Sequence, residues 1–224
     1  MTVKTSYRSV FDSIADAYDR WYDAPEGKLL FQEEVDCLRC LENDYTGRWL
    51  EVGVGTGRFA EALGCEYGVD LSLPMASKAA QRGIHVCVGG VEQLPFEKRV
   101  FDGVLMALAL CFLENPEKAL RESAHVLREK GKLVIGTIPA DSPWGKAYLR
   151  KGAEGHPVYA HARFQTLSET VHLVQKLGFK LRRGCSALLW GPENHQSRGS
   201  KVETGIVSGA GFVGLLFERH PGAV

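Results

Sequence analysis

Trp49-Leu50-Glu51-Val52-Gly53-Val54-Gly55-Thr56-Gly57, followed seventeen positions after Gly53 by Asp70 in Gly68-Val69-Asp70-Leu71-Ser72, is the stretch that decides the fold of this chain. An apolar run ending in glycines describes a strand turning sharply into a helix. The missing Cβ atoms let backbone approach a ligand, and the helix amino end offers free N–H groups. An acid one strand later is placed to accept hydrogen bonds from ribose hydroxyls, so the pair predicts a nucleotide-type cofactor site. Asp70 has a second possible job, capping the helix that begins near Ser72 and Leu73.

Outward from the loop, strands and helices alternate. Strands are expected near Arg48–Val54, Glu66–Val69, Ile84–Val88, Phe101–Met106 and Leu133–Ile138, with helices running to Leu63 and from Ser72 to Gln81. A further helix has Asn115 as cap, Pro116 in its first turn and Gly131 as its stop. This rhythm belongs to a parallel sheet. Two helical patterns precede it: Phe11, Ile14, Ala15, Tyr18, Trp21 and Tyr22, then, after the break at 25–27, Leu30, Phe31, Val35, Leu38 and Leu41. Residues 139–165 carry little periodicity and are expected to be a loop or cap. Thr166-x-x-Glu169 is a capping box opening a helix that Gly178 stops. Final strands are expected at Phe179–Leu189 and Gly205–Phe217, around a polar loop from Gly191 to Lys201. One domain over 1–224 is expected: an amino-terminal helical lid (1–44), a cofactor-binding core (45–138), the cap (139–165), and a carboxyl-terminal helix and strands (166–224).

The loop differs from a dinucleotide fingerprint at two points. G-x-G-x-x-G would put its third glycine at position 58, where this chain has Arg58, and Glu51 stands two residues before the first glycine. A carboxylate there repels a pyrophosphate and attracts a ligand carrying an ammonium and a sulfonium. The later Gly209-Ala210-Gly211-Phe212-Val213-Gly214 spells the dinucleotide pattern but leaves too little chain for the helix and strand such a site needs. It is expected to be a glycine-rich strand.

The acid-x-G-x-G-x-G loop and Asp70 resemble the class I S-adenosylmethionine-dependent methyltransferases. Gly90-Val91-Glu92-Gln93-Leu94-Pro95-Phe96, Phe101-Asp102-Gly103-Val104, Asn115-Pro116 and Val126-Leu127-Arg128 follow that family's order over roughly positions 45 to 138. The resemblance is to the small-molecule branch that includes quinone- and menaquinone-type enzymes. It implies a Rossmann-like, doubly wound α/β fold: a mostly parallel seven-stranded sheet, helices on both faces, the last strand antiparallel. It also implies S-adenosyl-L-methionine as cofactor, contacted by Glu51, Gly53, Gly55, Gly57, Asp70, Leu71, Val91, Glu92, Ala107 and Tyr18. Gly90 stands where the family often has an adenine-binding Asp, so adenine contacts fall to the Val91 backbone, Glu92 or apolar stacking. Similar proteins lay the amino-terminal helix over the cofactor, which would bring Tyr18, of the Tyr18-Asp19 pair, to the sulfonium side. The expected reaction is methyl transfer by in-line displacement to a small-molecule acceptor. A non-catalytic cofactor-binding sensor or partner subunit is the alternative, and an NAD(P)-dependent dehydrogenase is the weaker one.

Composition narrows the partners. Lys+Arg and Asp+Glu both total 27, so there is no net positive field for nucleic acid, and nucleic acid is not expected as a partner. The longest apolar run, Val104–Leu113, falls well short of the roughly 20 residues of a membrane span. Met1–Val10 has no signal-like apolar segment, so a cytoplasmic location is expected. Six scattered cysteines suit a reducing compartment; Cys37-x-x-Cys40 lacks further ligands for zinc, both are expected to be packing residues, and no metal is expected. Ala107-Leu108-Ala109-Leu110 carries neither the acidic metal ligands nor the Asn/Asp-Pro-Pro motif of other methylating enzymes, and an apolar lining there suits a carbon-rich acceptor. Tyr18, His156 and His161 are the candidates for a catalytic group, with the histidines able to act as general bases. Trp144 and Tyr159 are candidates for shaping the acceptor pocket. The acceptor itself and the oligomeric state are not legible.

Overall fold

The computed structural model describes residues 7–42, 45–193 and 201–219. Two helices come first, α1 (Tyr7–Trp21) and α2 (Pro25–Leu41). The core follows as β1 (Trp49–Val52), α3 (Arg58–Leu63), β2 (Tyr67–Asp70), α4 (Leu73–Gln81), β3 (His85–Val88), β4 (Phe101–Ala107), α5 (Pro116–Val126) and β5 (Leu127–Thr137). Then come α6 (Pro143–Ala153), α7 (Leu167–Gln175), β6 (Phe179–Ala187), β7 (Glu203–Thr204) and β8 (Phe212–Arg219).

The strands form one sheet in the order β3-β2-β1-β4-β5-β8-β6-β7. Strands β1 to β5 pair in parallel, and β8 runs antiparallel between β5 and β6. The side-chain period of two sorts the sheet into two cores. Trp49, Leu105, Val134 and Phe212 point to the face covered by α2, α3 and α6. Leu50, Val104, Met106 and Ile135 point to the face covered by α5 and α7. Helices therefore cover both faces, as a doubly wound fold requires. Strand order reverses between β1 and β4, which opens the crevice where ligands of such sheets bind.

Five expectations need correction. The last strand begins at Phe212 and not at Gly205, so Gly209 and Gly211 lie in the turn before it. The sheet has eight strands, because the two-residue β7 pairs with Cys185 and Ser186 at its edge; so short a strand leaves no periodic signal. The helix after Asn115 ends at Val126, not Gly131, since Leu127 leaves it in extended backbone to pair with Phe101. Residues 139–165 hold α6, whose amino end Ser142 caps by accepting from the Gly145 N–H at 2.9 Å. Cys40 and Cys185 form a disulfide, Cα atoms 6.4 Å apart, tying α2 to β6, whereas Cys37 is buried and free. Part of the Gly191–Lys201 loop lies outside the described residues.

The capping box opening α7 is formed: Thr166 Oγ1 accepts from the Glu169 N–H at 3.2 Å, and Glu169 Oε2 accepts from the Thr166 N–H at 2.8 Å. Thr166→Ala removes the hydroxyl side of this exchange. It should cost about 1 kcal/mol and lower Tm by roughly 2–4 °C. An unchanged thermal melt would show that the cap carries no stability.

Candidate functional site

Backbone geometry builds the first part of the site. Gly53 (φ +73°), Gly55 (φ +53°) and Gly57 (φ +83°) all adopt the left-handed region open to glycine. A Cβ on Gly53 would lie 2.7 Å from the Ala109 Cβ, and one on Gly57 would lie 2.8 Å from the Ala79 Cα, so these two glycines permit close packing. A Cβ on Gly55 would meet nothing within 4 Å, because that glycine faces an open cleft.

Tyr18, Gly53, Gly55, Asp70, Leu71, Val91 and Ala107 all line this cleft, joined by Phe11, Met75, Leu108, Ala109, Phe112 and Leu113. Asp70 closes it at the end of β2. Its Oδ2 accepts from the Gly55 N–H and its Oδ1 from the Ser72 N–H, each at 2.8 Å. Burial pushes its carboxyl above the usual range, while these backbone donors pull it back. The helix cap is Ser72, whose Oγ accepts from Met75 N–H, so Asp70 orders the turn before α4 rather than capping it.

Glu51, Gly57 and Glu92 lie outside the lining. Gly57 is the left-handed residue before α3. Glu92 Oε1 accepts from the Asn115 N–H at 2.9 Å, ahead of α5. Glu51 is buried near the end of β1, and its Oε2 has no hydrogen-bond partner among the described residues. Burial holds its carboxyl well above the ordinary value, an Ala60 backbone hydrogen bond opposing.

A pair of arginines fastens α1 over the loop. Arg58, in place of the third dinucleotide glycine, donates from Nε to Asp19 Oδ1 at 2.7 Å and reaches Asp23 at 2.9 Å. Arg82 donates to both Asp19 oxygens, at 2.9 and 3.1 Å, and to the Thr56 carbonyl at 2.9 Å. Burial would raise the Asp19 pKa, but hydrogen bonds from Arg58, Thr56 and Arg82 outweigh it and hold the pKa at about 2. Neighbouring Tyr18 is thereby held in the wall, its hydroxyl 3.0 Å from that of Tyr22.

Behind Tyr18 is a second cavity, of about 320 Å³, walled by aromatic rings from α1, α6 and the segment after it. Tyr18, Leu108 and Phe112 belong to both linings. Leu108 holds a left-handed φ of +55°, a conformation costing a leucine roughly 1–2 kcal/mol. Tyr148 and Tyr159 stack at 4.4 Å, and His156 stacks on Tyr159 at 4.5 Å. His156 Nδ1 faces the Val158 and Tyr159 N–H groups at 3.3 and 3.4 Å, and burial, with Lys151 adding, lowers its pKa. His161 is exposed and outside this lining, and Trp144 is buried with its indole N–H on the Trp190 carbonyl. Cys111 lines the cavity, its thiol pushed up to about 12 by burial.

Glu34, on α2, also faces this cavity, a placement that no sequence motif signals. It is 5% exposed and has no hydrogen bond or ion pair among the described residues. Its neighbour Glu33 is fully engaged, accepting from the Leu188 N–H and the Trp190 indole. Burial pushes the Glu34 carboxyl up to about 8, with the Glu33 charge adding. Among the described residues no group of three or more His, Cys, Asp or Glu side chains could hold a metal ion, and no helix is long and apolar enough to cross a membrane.

A glycine-lined crevice at the strand reversal, with a strand-end acid, defines a Rossmann-like cofactor-binding protein. Comparison with known proteins narrows the class. Residues 50–135 match the methyltransferase domain family. A solved structure from Thermotoga maritima, described as a SAM-dependent methyltransferase, possible histamine N-methyltransferase, is 31% identical; the match covers 95% of this chain and 99% of that one, with a TM-score of 0.87. A Mycobacterium tuberculosis protein described as uncharacterized is 39% identical over 208 residues, 90% of this chain and 70% of its own. Demethylmenaquinone methyltransferase from Renibacterium salmoninarum is 28% identical, over 75% of each chain. This chain belongs to the class I S-adenosylmethionine-dependent methyltransferases, and its cofactor is S-adenosyl-L-methionine.

Proposed function

We propose that the chain transfers the methyl group of S-adenosylmethionine to a small-molecule acceptor seated in the aromatic cavity. The observation that carries this is the common wall: Tyr18, Leu108 and Phe112 line both the glycine cleft and the cavity behind it, so two ligands would meet there. The residues fit the cofactor. Gly55 leaves a space that any Cβ would fill, and Glu51, beneath the loop and outside the lining, would add negative potential behind a positively charged ligand. Gly53, Gly55 and Gly57 would shape the loop, Asp70 with Leu71 would hold the ribose end, and Val91, Glu92 and Ala107 would complete the surround. Tyr18 would face the methyl. The bound cofactor supplies a methyl already activated by its sulfonium.

The chain then contributes alignment and exclusion of water. Asp19, tied to Arg58 and Arg82, keeps α1 across the cleft, and Phe11 and Phe112 seal its apolar side with rings 5.1 Å apart. His156, its Nδ1 turned to backbone N–H groups, presents Nε2–H as a donor in its neutral form. No nucleic acid or membrane partner is proposed, the location proposed is cytoplasmic, and 1–224 is proposed to act as one domain.

In a competition titration, S-adenosylhomocysteine should bind and NAD should not displace it; preference for NAD would return the dehydrogenase alternative. Incubation with methyl-labelled cofactor and fractionated small-molecule extract should label a low-molecular-weight product. Cofactor binding without any labelling would favour a sensor.

A further inference from the structure

The second cavity has a charge pattern that selects among acceptors. Its lining includes Trp21, Tyr22, Tyr148, Tyr159 and Phe164, and among the described residues neither Lys nor Arg. Among the described residues the one carboxyl in the lining is Glu34, nine-tenths or more buried and without a hydrogen bond or ion pair. A buried ionisable group left unpaired is costly, and the cost vanishes if a ligand brings the complementary charge. An anionic acceptor would meet Glu34 with no cation among the described lining residues to balance it. A neutral hydrocarbon-like acceptor would leave Glu34 as it is. A small cation would pair with the carboxylate and lie against aromatic faces that attract positive charge.

We propose that the cavity binds a small primary or secondary amine with an apolar arm, and that Glu34 is the residue that recognises its ammonium group. The proposal deepens the methyl-transfer function above and rests on it. It adds a cationic nitrogen to the carbon-rich acceptor that the apolar Ala107-Leu108-Ala109-Leu110 stretch suggested. Binding of the ammonium first releases the proton of the neutral Glu34 carboxyl to solvent, and within the resulting ion pair one proton moves from the ammonium nitrogen to a Glu34 oxygen. An N–H bond breaks, an O–H bond forms, nothing is oxidised or reduced, and the nitrogen lone pair becomes available.

The groups around Glu34 are neutral apart from Glu33, whose carboxyl burial also raises while hydrogen bonds from Trp190 and Leu188 oppose the rise. From α1 and the turn after it Glu34 is faced by the Tyr18 and Tyr22 hydroxyls, from α6 and the following turn by Tyr148, Tyr159 and His156, from the turn after β4 by Cys111, and on α2 by Glu33 and Cys37. Burial raises the phenols and thiols, so they remain neutral at pH 7, and it lowers His156 toward the neutral form. Two cations lie outside the lining against its rings: Lys151 on Tyr148, 5.6 Å from the centroid, and Arg58 on Tyr22, 5.4 Å from the centroid and tied to Asp19 and Asp23.

The test is calorimetric titration of the full chain with 2-phenylethylamine and with 2-phenylethanol, which replaces the amine by a hydroxyl. Each is run at pH 7 in two buffers of different ionisation enthalpy, with and without S-adenosylhomocysteine. The amine is expected to bind at least about tenfold more tightly than the alcohol and to release close to one proton to the buffer, whereas the alcohol releases none. Glu34→Gln should weaken the amine by about tenfold or more, abolish the proton release, and leave the alcohol and S-adenosylhomocysteine affinities unchanged. The wild-type amine-to-alcohol comparison and proton count stand without the variant if it folds poorly. Equal affinity for the two probes, no detectable amine binding, or amine binding without proton release would overturn the proposal. Failure of S-adenosylhomocysteine to bind would instead count against the methyl-transfer function.

Discussion

Gly55→Arg is expected to remove S-adenosylhomocysteine binding, a loss on the order of 100-fold or more, while the protein stays folded. Gly55 lines the glycine cleft, and its missing Cβ faces open space, so a long cationic side chain there occupies the cleft instead of the core. Its φ of +53° adds backbone strain of roughly 1–2 kcal/mol for any L side chain. That strain needs its own control, which Gly64→Arg supplies. Gly64, after α3, also has a positive φ (+78°) and open space at its Cβ, yet lies outside the cleft lining. The two variants should lose similar Tm, and only Gly55→Arg should lose the ligand. Equal binding by both in a calorimetric titration would remove the glycine loop from the cofactor site.

The second large effect is a decline of stability from pH 5 to pH 8 that Glu34→Gln partly flattens. Glu34 titrates at about 8 when folded, against an ordinary value of 4.5, because burial disfavours its charged form. Between those values the folded chain holds a proton that the unfolded chain has lost. This share of stability is therefore present in acid and drains away as pH rises, at roughly 1.4 kcal/mol per pH unit. Over the window the associated fall in Tm is on the order of 10 °C. Glu33, Glu51 and Asp70 are raised by burial as well, so the variant should keep a residual slope of the same sign. Asp19, held at about 2, acts in the opposite sense and only below its ordinary 3.8, outside this window. Thermal melts at pH 5, 6, 7 and 8 measure the difference; parallel curves for wild type and Glu34→Gln would mean that Glu34 is not held protonated.

The parallel core and glycine loop were legible because their signals are local. A strand ending in glycines, an acid at the next strand end, and caps such as Asn115 and Thr166 each specify geometry within a few residues. Gly55 and Asp70 are brought together by the pairing of neighbouring strands β1 and β2. The Ser142-Pro143 start of α6 was legible too, as a cap followed by proline in the first turn, but surrounding glycines and prolines masked it. Glu34 was not legible. Glu33 and Glu34 are adjacent acids on one helix, and only the folded partners decide that Trp190 engages the first while an aromatic cavity receives the second. The same holds for Asp19, whose arginine partners stand 39 and 63 positions away.

The Asp19 clamp gives the two cavities one shared support. Arg58 and Arg82 lie at the helix ends that frame the glycine loop, and through Asp19 they hold the helix whose Tyr18 walls both spaces. A ligand that shifts this clamp from one side changes the free energy of occupying the other, and reciprocity requires the effect to be equal in both directions. Whatever factor cofactor binding adds to acceptor affinity, the acceptor must return to the cofactor.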